Sequence, residues 1–186
     1  MRWERLFADL EAQLEAAEAA ELESEIADRT RSERARLRLV DRLRGSVGRS
    51  VDARVTGIGQ LSGEIRAVGV DWLLVRPADG ADRLVRTAAL LELTGLAPSS
   101  ATRASAGAVA ARFSLGAVLR GLARDRTVVT IMLMDGGSRT GTIEVVGADL
   151  LELSERRHDE PGFADRSGAR ARRCVPLAAL AVVREH

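Results

Sequence analysis

The side chains most often used for acid–base, nucleophilic or metal chemistry are scarce in this sequence. Its histidines are His158 and His186, and Cys174 is its single cysteine. His158 precedes Asp159 and Glu160, a grouping that suits a metal ion, but no second histidine or cysteine stands at ligand spacing. We therefore interpret His158 as part of a solvated loop, and we expect the terminal His186 to be frayed.

Cys174 follows two arginines, an arrangement that favours a reactive thiolate. Its place in a predicted short strand favours instead a buried structural side chain, because free cysteine usually behaves as a small hydrophobe. Neither histidine lies on a predicted rigid element, so a catalytic triad is not expected. The sequence also lacks lysine, which excludes Schiff-base chemistry and the lysine of a phosphate loop. We expect a protein that is not an enzyme and that has no metal and no cofactor.

Arginine is the other residue type with recognisable chemistry here. The densest basic set comprises Arg156, Arg157, Arg170, Arg172 and Arg173. Because arginine suits phosphate recognition, this set and the basic stretch 29–44 make nucleic-acid binding an alternative interpretation. The formal net charge of +1 does not favour it, since nucleic-acid binders usually show a marked basic excess.

The elements that must position these side chains are organised as a repeat. The segment 63–75 (GEIRAVGVDWLLV) returns at 141–153 (GTIEVVGADLLEL) in the same register. A second pair matches downstream, VRTAAL at 85–90 and VPLAAL at 175–180. Glycine, a hydrophobic run, Val-Gly-x-Asp and a second hydrophobic run predict strand, turn and strand in each copy. The chain is therefore predicted to contain two copies of one supersecondary unit.

Each copy is predicted to have about five short strands, too few for a sandwich and suited to a small closed barrel. The expected strands are 51–55, 63–68, 71–75, 84–85, 90–93, 128–134, 141–146, 150–153, 173–175 and 180–183. Asp135-Gly136 predicts a hairpin turn, and Ser114 predicts the N-cap of a short helix over 115–123. The segment 155–172 is predicted to be a mobile charged loop. We expect the two copies to superpose without one continuous sheet across both.

Residues 1–44 contain no glycine or proline and predict a long amphipathic helix. Its apolar stripe is Trp3, Phe7, Leu10 and Leu14, at the spacing of a coiled coil. A helix of this length would extend roughly 65 Å, so a break near 24–32 is an open alternative. The stripe predicts association with a second copy or with a protein partner.

The charges of this helix are divided between its two parts. Residues 1–28 carry two arginines against nine acidic residues, net −7, and residues 29–44 carry seven arginines against two, net +5. This order agrees with the helix dipole, which alone would account for it in a solvated helix. It also favours antiparallel pairing of two such helices, although each exposed ion pair contributes little.

The repeat resembles the Sm-like and SH3-like small β-barrels, and a PRC-barrel-type protein has a similar pattern. The resemblance covers most of both copies and implies a short helix with five strands in each. Sm-like RNA-binding proteins usually carry an asparagine four residues after the motif aspartate, where Val75 and Leu153 stand here. Their later Arg-Gly pair is replaced by Arg86-Thr87 and Pro176-Leu177. The resemblance therefore implies the fold without the uridine pocket.

Three further residues of the repeated segments have alternative roles. Asp71 and Asp149 follow the repeated glycine, and we interpret them as turn or backbone-capping residues, because aspartate is common in turns. Trp72 stands where the second copy has Leu150. An exposed tryptophan would mark an interaction surface, and we favour burial.

The sequence thus predicts a mainly β, α+β protein: a helix (1–44), a first barrel (45–95), a linker (96–112) and a second barrel (113–186). Its arginine-only, alanine-rich composition suggests a bacterial source. Without a membrane-spanning run or a signal peptide, and with one cysteine, we expect it in the cytoplasm. The favoured function is a non-enzymatic interaction or scaffolding module acting through the helix. The alternative is a nucleic-acid-binding regulator of gene expression.

Overall fold

The computed structural model describes residues 7, 13, 18, 21–32, 35–98, 109–155 and 172–186. The chain divides into two compact units, Met1–Arg38 and Leu39–His186. In the first unit, residues 21–32 form helix α1, which continues through the stretch where a break was considered. This stretch lacks glycine and proline, so nothing in it interrupts helical hydrogen bonding.

The stretch 1–44 does not form one helix in the described chain. Residues 37 and 38 are not helical, and a separate short helix, α2 (Leu39–Arg44), belongs to the second unit. Leu43 of α2 is fully buried among the side chains of the first strands. Ser46 follows it, and its hydroxyl accepts a hydrogen bond from Ala97 N at 2.8 Å. Tertiary packing therefore holds α2 with the sheet.

Over its described residues the second unit is mainly β, with ten strands in one antiparallel sheet. The first-half strands are β1 (Ser50–Val55), β2 (Gly59–Val68), β3 (Trp72–Arg76), β4 (Arg83–Arg86) and β5 (Leu90–Thr94). The second-half strands are β6 (Val128–Leu133), β7 (Ser138–Val146), β8 (Leu150–Glu155), β9 (Arg172–Pro176) and β10 (Leu180–Glu185). Every predicted strand is therefore confirmed, with bounds shifted by a few residues.

The expectation that no continuous sheet would span both copies is wrong. The strand order is β5-β1-β2-β3-β4-β10-β6-β7-β8-β9, so the two halves join where β4 meets β10. In this pairing Val85 lies opposite Val182 and Leu84 opposite Val183. An isolated strand edge carries unpaired N–H and C=O groups, and joining the halves satisfies those of both strands.

The two halves have matching registers, which confirms the equivalence of the repeated segments. Val51 faces Gly63 in the first half, and Val129 faces Gly141 in the second. Each half carries a register shift at the same point of its second strand, after Ile65 and after Ile143. Such shifts bend a strand and increase its twist. The repeat in the sequence is thus a repeat of strand pairing.

The glycine that opens each repeated segment lies where two strands approach closely. A Cβ atom on Gly63 would be 2.5 Å from the carbonyl oxygen of Arg76, and one on Gly141 would meet that of Ser154. Neither backbone carbonyl can move aside without disturbing the ladder. Glycine is therefore required at both positions, as at sharp bends of strands in small barrels.

Among the described residues, two hydrophobic clusters form the core, and each takes side chains from both halves. The first contains Ile65, Leu73 and Val75 together with Val182 of β10. The second contains Ile131, Ile143, Leu151 and Leu153 together with Trp72 and Leu84 of the first half. The β4–β10 pairing causes this exchange, because it places the outer side chains of each half beside the other half.

Helix α3 (Leu115–Arg124) covers the second cluster with Leu115 and Leu119. Its predicted N-cap is confirmed, because the Ser114 side chain accepts a hydrogen bond from Ala117 N at 3.4 Å. The predicted Asp135-Gly136 turn is also confirmed, with Gly136 at a φ of 90°. Among the described residues, no helix is long and apolar enough to cross a membrane.

Candidate functional site

The contact between the two halves, hereafter the junction, is the pairing of β4 with β10. Leu84 of β4 is 5% exposed and packs in the second cluster, while Val182 of β10 is 1% exposed and packs in the first. Arg86 Nη1 adds a hydrogen bond to the carbonyl oxygen of Ala178, at 2.8 Å. The junction therefore combines a backbone ladder with apolar side chains, as inside a single sheet.

The sheet ends at β5 on one side and at β9 on the other, hereafter the open edges. Within the described residues, neither strand has a strand partner on its outer side. On β5, Leu91 is 60% exposed and Glu92 is exposed. Apolar exposed edge strands tend to pair with a further strand. The open edges are thus the part of the sheet suited to an intermolecular contact.

Strand β9 carries two of the arginines that the sequence offered as phosphate contacts. Arg172 Nη1 lies 4.0 Å from Glu152 Oε2, and Arg173 Nε lies 2.8 Å from Glu155 Oε2. Arg156, Arg157 and Arg170 lie outside the described residues. The two arginines that are described each face a carboxylate of β8, which reduces their positive potential toward a phosphate.

The interpretation of Cys174 as a buried structural residue is wrong, because Cys174 is exposed. It occupies the position on β9 that Leu84 occupies on β4. Leu84 is covered because β10 lies beside it, whereas β9 has no outer neighbour in the described chain. The strand was correctly predicted, and the missing neighbour accounts for the exposure.

Asp71 and Trp72 organise the region where helix α3 begins. Asp71 Oδ1 accepts a hydrogen bond from Leu115 N at 2.7 Å, so the predicted capping role of Asp71 is confirmed. Trp72 is 5% exposed, and its Nε1 donates to the carbonyl oxygen of Phe113 at 3.0 Å, which confirms its burial. Asp149 also lies in a turn, where its carbonyl oxygen accepts from Leu177 N at 2.7 Å. These contacts are structural.

His186 is held by the sheet, so the expectation that it is frayed is wrong. Its backbone N–H donates to the carbonyl oxygen of Val128 at 3.1 Å, and its Nε2 lies 2.8 Å from Thr130 Oγ1. The ladder between β10 and β6 continues through this residue, which explains its order. His158 lies outside the described residues. Among those described, no cluster of histidine, cysteine and carboxylate side chains could hold a metal ion.

The connection between β3 and β4 contains a compact group of ion pairs. Arg76 Nε donates to Asp82 Oδ1 at 2.7 Å and holds the pKa of that carboxyl below its ordinary value. The N–H of Ala81, followed by the Arg83 side chain, lowers the pKa of Asp79 in the same way. Arg76 and Asp79 are exposed, Asp82 and Arg83 are half-buried, and the four are paired with one another. They order the connection and do not form an acid–base site.

In the first unit, large apolar side chains lie on the surface of the helix. Phe7 is 59% exposed, Leu22 58% and Ile26 56%. Leu22 and Ile26 are four residues apart and therefore share one face of α1. The other members of the predicted stripe, Trp3, Leu10 and Leu14, lie outside the described residues.

Comparison with known proteins identifies no relative. No protein-family model matches the sequence, and neither a curated protein nor a solved structure matches it significantly.

Proposed function

We propose that this protein is a non-enzymatic interaction or scaffolding module whose N-terminal helix associates with a protein partner or a second copy. The observation that carries the proposal is the exposure of Leu22 and Ile26 on one face of α1, with Phe7 also exposed. Isolated apolar side chains are ordinary on protein surfaces, but two on one helix face form a contact stripe. Burying each would contribute about 1.5–3 kcal/mol.

In this proposal each half of the sheet is a small barrel of the Sm-like or SH3-like type. Three features support it. In the first half, β1 pairs with both β2 and β5, which brings the first and last strands together. The register shifts recur at equivalent points, and Gly63 and Gly141 stand at close strand approaches. Shifts and glycines of this kind allow a short sheet to curl on itself.

Regulation through nucleic-acid binding has less support. Arg172 and Arg173 face carboxylates, as described above. Arg44, in the basic stretch 29–44, is half-buried, and its Nη2 donates to the carbonyl oxygens of Gly69 and Ala111. The Arg44 guanidinium, which donates to two backbone carbonyls, is therefore not free to contact phosphate.

The test is the full-length double variant Leu22→Asp, Ile26→Asp. The affinity of self-association, measured by sedimentation, or of binding to a partner should fall by about 100-fold, since two apolar contacts of this size are lost. The matched control is Ser24→Asp, Ala27→Asp, which adds the same charges to the opposite face of α1. Circular dichroism reports whether the sheet stays folded.

Two results would contradict the proposal. One is equal association by the stripe variant and its control. The other is retention on RNA or DNA that falls steeply with salt and is insensitive to both variants, which would favour the nucleic-acid function instead.

A further inference from the structure

We infer that the junction also carries a binding site for a phosphate group, inorganic or on a small molecule, with Arg83 and Arg184 as its cationic side chains. The site lies on the sheet of the second unit. It therefore goes beyond the helix-mediated association proposed above and uses different residues.

The site is built on a row of polar side chains that crosses the junction. Arg83 of β4 lies directly opposite Arg184 of β10. On the other side of β10, Arg184 lies opposite Thr130 of β6, and Thr140 of β7 follows next in the row. Directly opposite residues of antiparallel strands have Cα atoms about 4.5–5.5 Å apart, and their side chains share one face of the sheet. Four adjacent strands thus present polar groups on the same face.

The two arginines of this row oppose each other in charge. Like charges directly opposite on neighbouring strands destabilise a sheet. Both residues are half-buried, and the Arg83 side chain is 21% exposed, so water screens their repulsion only in part. An anion that binds both guanidinium groups would turn this repulsion into attraction, because arginine holds oxyanions through two parallel N–H donors.

One carboxylate serves both arginines. Arg83 Nη2 donates to Asp79 Oδ2 at 2.6 Å. The N–H of Ala81 and the Arg83 side chain lower the pKa of Asp79, and the charge of Arg184 adds to them, which brings Arg184 close to the same carboxylate. Within the described part of the chain, Arg184 has no carboxylate at ion-pair distance. Asp79 is 51% exposed, so a phosphate can compete with it for Arg83.

Arg83 also keeps a donor that the described residues do not satisfy. Its Nε is buried and has no hydrogen-bond partner among them. A buried N–H without an acceptor costs free energy. Asp79 binds the guanidinium at Nη2, whereas a phosphate has enough oxygens to accept from Nε and an Nη together. Turning Arg83 toward a phosphate would therefore relieve this cost.

A chain of hydroxyl groups continues the row beyond Arg184. Thr130 Oγ1 lies 2.8 Å from His186 Nε2 and 2.9 Å from Thr140 Oγ1. A threonine hydroxyl has one proton to donate. When His186 Nε2 donates to Thr130, Thr130 donates to Thr140, and the Thr140 proton is left for a bound oxygen. The row can then offer a neutral donor in addition to the two arginines.

The number of donors selects a phosphate monoester or inorganic phosphate over other anions. Such a group carries about −1.5 to −2 charges at pH 7 and three strong acceptor oxygens. A carboxylate has one charge and two oxygens, and a phosphodiester of a nucleic acid has one charge and two free oxygens. Two arginines and a hydroxyl match the first class best.

The experiment is an NMR titration of the full-length chain in 0.15 M sodium chloride, with inorganic phosphate in one arm and glycerol phosphate in the other. We expect saturable shifts of the backbone amide signals of residues 83, 130, 140 and 184, and a thermal midpoint that rises with phosphate. An arm that binds alone shows whether the phosphate is free or esterified. Binding should persist in the Leu22→Asp, Ile26→Asp variant, so its failure and that of helix association are separate results.

Two variants change the affinity in opposite directions. Arg184→Gln should weaken phosphate binding by about tenfold or more, because charge-assisted hydrogen bonds are lost. Without phosphate it should be no less stable than the natural chain, since a like-charge pair is removed. Asp79→Asn should tighten binding by about two- to fivefold, because an exposed competing carboxylate is gone.

Arg76→Gln is the matched control, because it removes a nearby arginine whose guanidinium is held by Asp82 through two hydrogen bonds. Its affinity for phosphate should change by less than about twofold. An equal loss in Arg76→Gln and Arg184→Gln would mean that only the general positive potential attracts phosphate, and would overturn the inference.

Three further results would overturn it. One is the absence of saturable shifts at this row in the natural chain. Another is a loss of stability in Arg184→Gln without phosphate, which would assign Arg184 to the fold as a partner of Asp79. The third is binding of acetate or dimethyl phosphate as tight as that of inorganic phosphate; dimethyl phosphate would then favour a nucleic-acid backbone as the ligand.

Discussion

In the first half of the sheet the fourth strand is covered by β10, and its Leu84 is buried. In the second half the equivalent strand, β9, has no outer partner among the described residues, and its Cys174 is exposed. The inner ladders of the two strands match: Val85 faces Leu73, and Val175 faces Leu151. The local sequence pattern therefore determines where a strand forms and how it pairs with the strand before it. Whether the side chains on its outer side are buried depends on whether another strand lies beside it.

The same halves differ in the connection that precedes this strand. In the first half it is short and held by the pairs Arg76–Asp82 and Arg83–Asp79. In the second half the corresponding stretch is the longer charged segment 156–171, which lies outside the described residues. The edge that is covered therefore has a short connection before it, and the open edge has a long one.

The largest expected effect tests the equivalence of the two halves. Gly63→Ala and Gly141→Ala should each cost at least about 3 kcal/mol of unfolding free energy, because the added Cβ meets a backbone carbonyl that cannot move aside. Urea denaturation of each variant measures this. Gly121→Ala in α3 is the control, since its Cβ would meet nothing within 4 Å and should stabilise by up to about 1 kcal/mol. A large cost at one repeat glycine and none at the other would break the equivalence.

The next effect contrasts the covered edge with the open one. Leu84→Ala should cost about 2–3 kcal/mol, because it leaves a cavity between β4 and the second cluster. Cys174→Ala should change the unfolding free energy by less than about 0.5 kcal/mol in dilute solution, where β9 is uncovered. Thermal or urea denaturation of both variants at low protein concentration is the measurement. Equal costs would show that β9 is covered in the isolated chain.

The smallest effect concerns the ion pairs of the β3–β4 connection. Asp82 has a folded pKa below the ordinary value of 3.8, so its pairing stabilises the fold above that value. The contribution is lost as the pH falls further, through the lowered pKa. Asp82→Asn should therefore slightly flatten the loss of stability below about pH 4. Carboxyl NMR titration checks the cause, since Arg76→Gln should raise the pKa of Asp82 toward 3.8; an unchanged pKa would contradict it.

Much of the fold could be predicted from the sequence because strand pairing here follows local pattern. Repeated glycines, alternating apolar residues and turn residues identified every strand and the N-cap at Ser114. The junction could not be predicted, because β4 and β10 are far apart in the chain. No local feature of either strand indicates that it pairs with the other. The errors at Cys174 and His186 have the same origin, because each depends on which strand lies beside it.

The functional surfaces were less predictable than the fold. The capping role of Asp71 could be predicted because aspartate side chains in turns often accept hydrogen bonds from nearby backbone N–H groups. Its actual partner, Leu115 N, could not be predicted, because it is distant in sequence. No sequence feature predicts that β5 and β9 form the open edges of the sheet. A strand lies at the edge of a sheet when no other strand pairs with its outer side. No residue type in the strand itself indicates whether such a neighbour is present.

The position of β10 has a consequence for how this sheet is made. It is the last of the ten strands in chain order, yet it lies between β4 and β6 near the middle of the sheet. During synthesis the other strands emerge first, and the edges of β4 and β6 stay bare until β10 leaves the ribosome. Unpaired apolar strand edges tend to pair with the wrong strand. A nascent chain is therefore most prone to aggregation before β10 has been synthesised, and in that interval it can also pair with the β10 of a neighbouring chain on the same polysome.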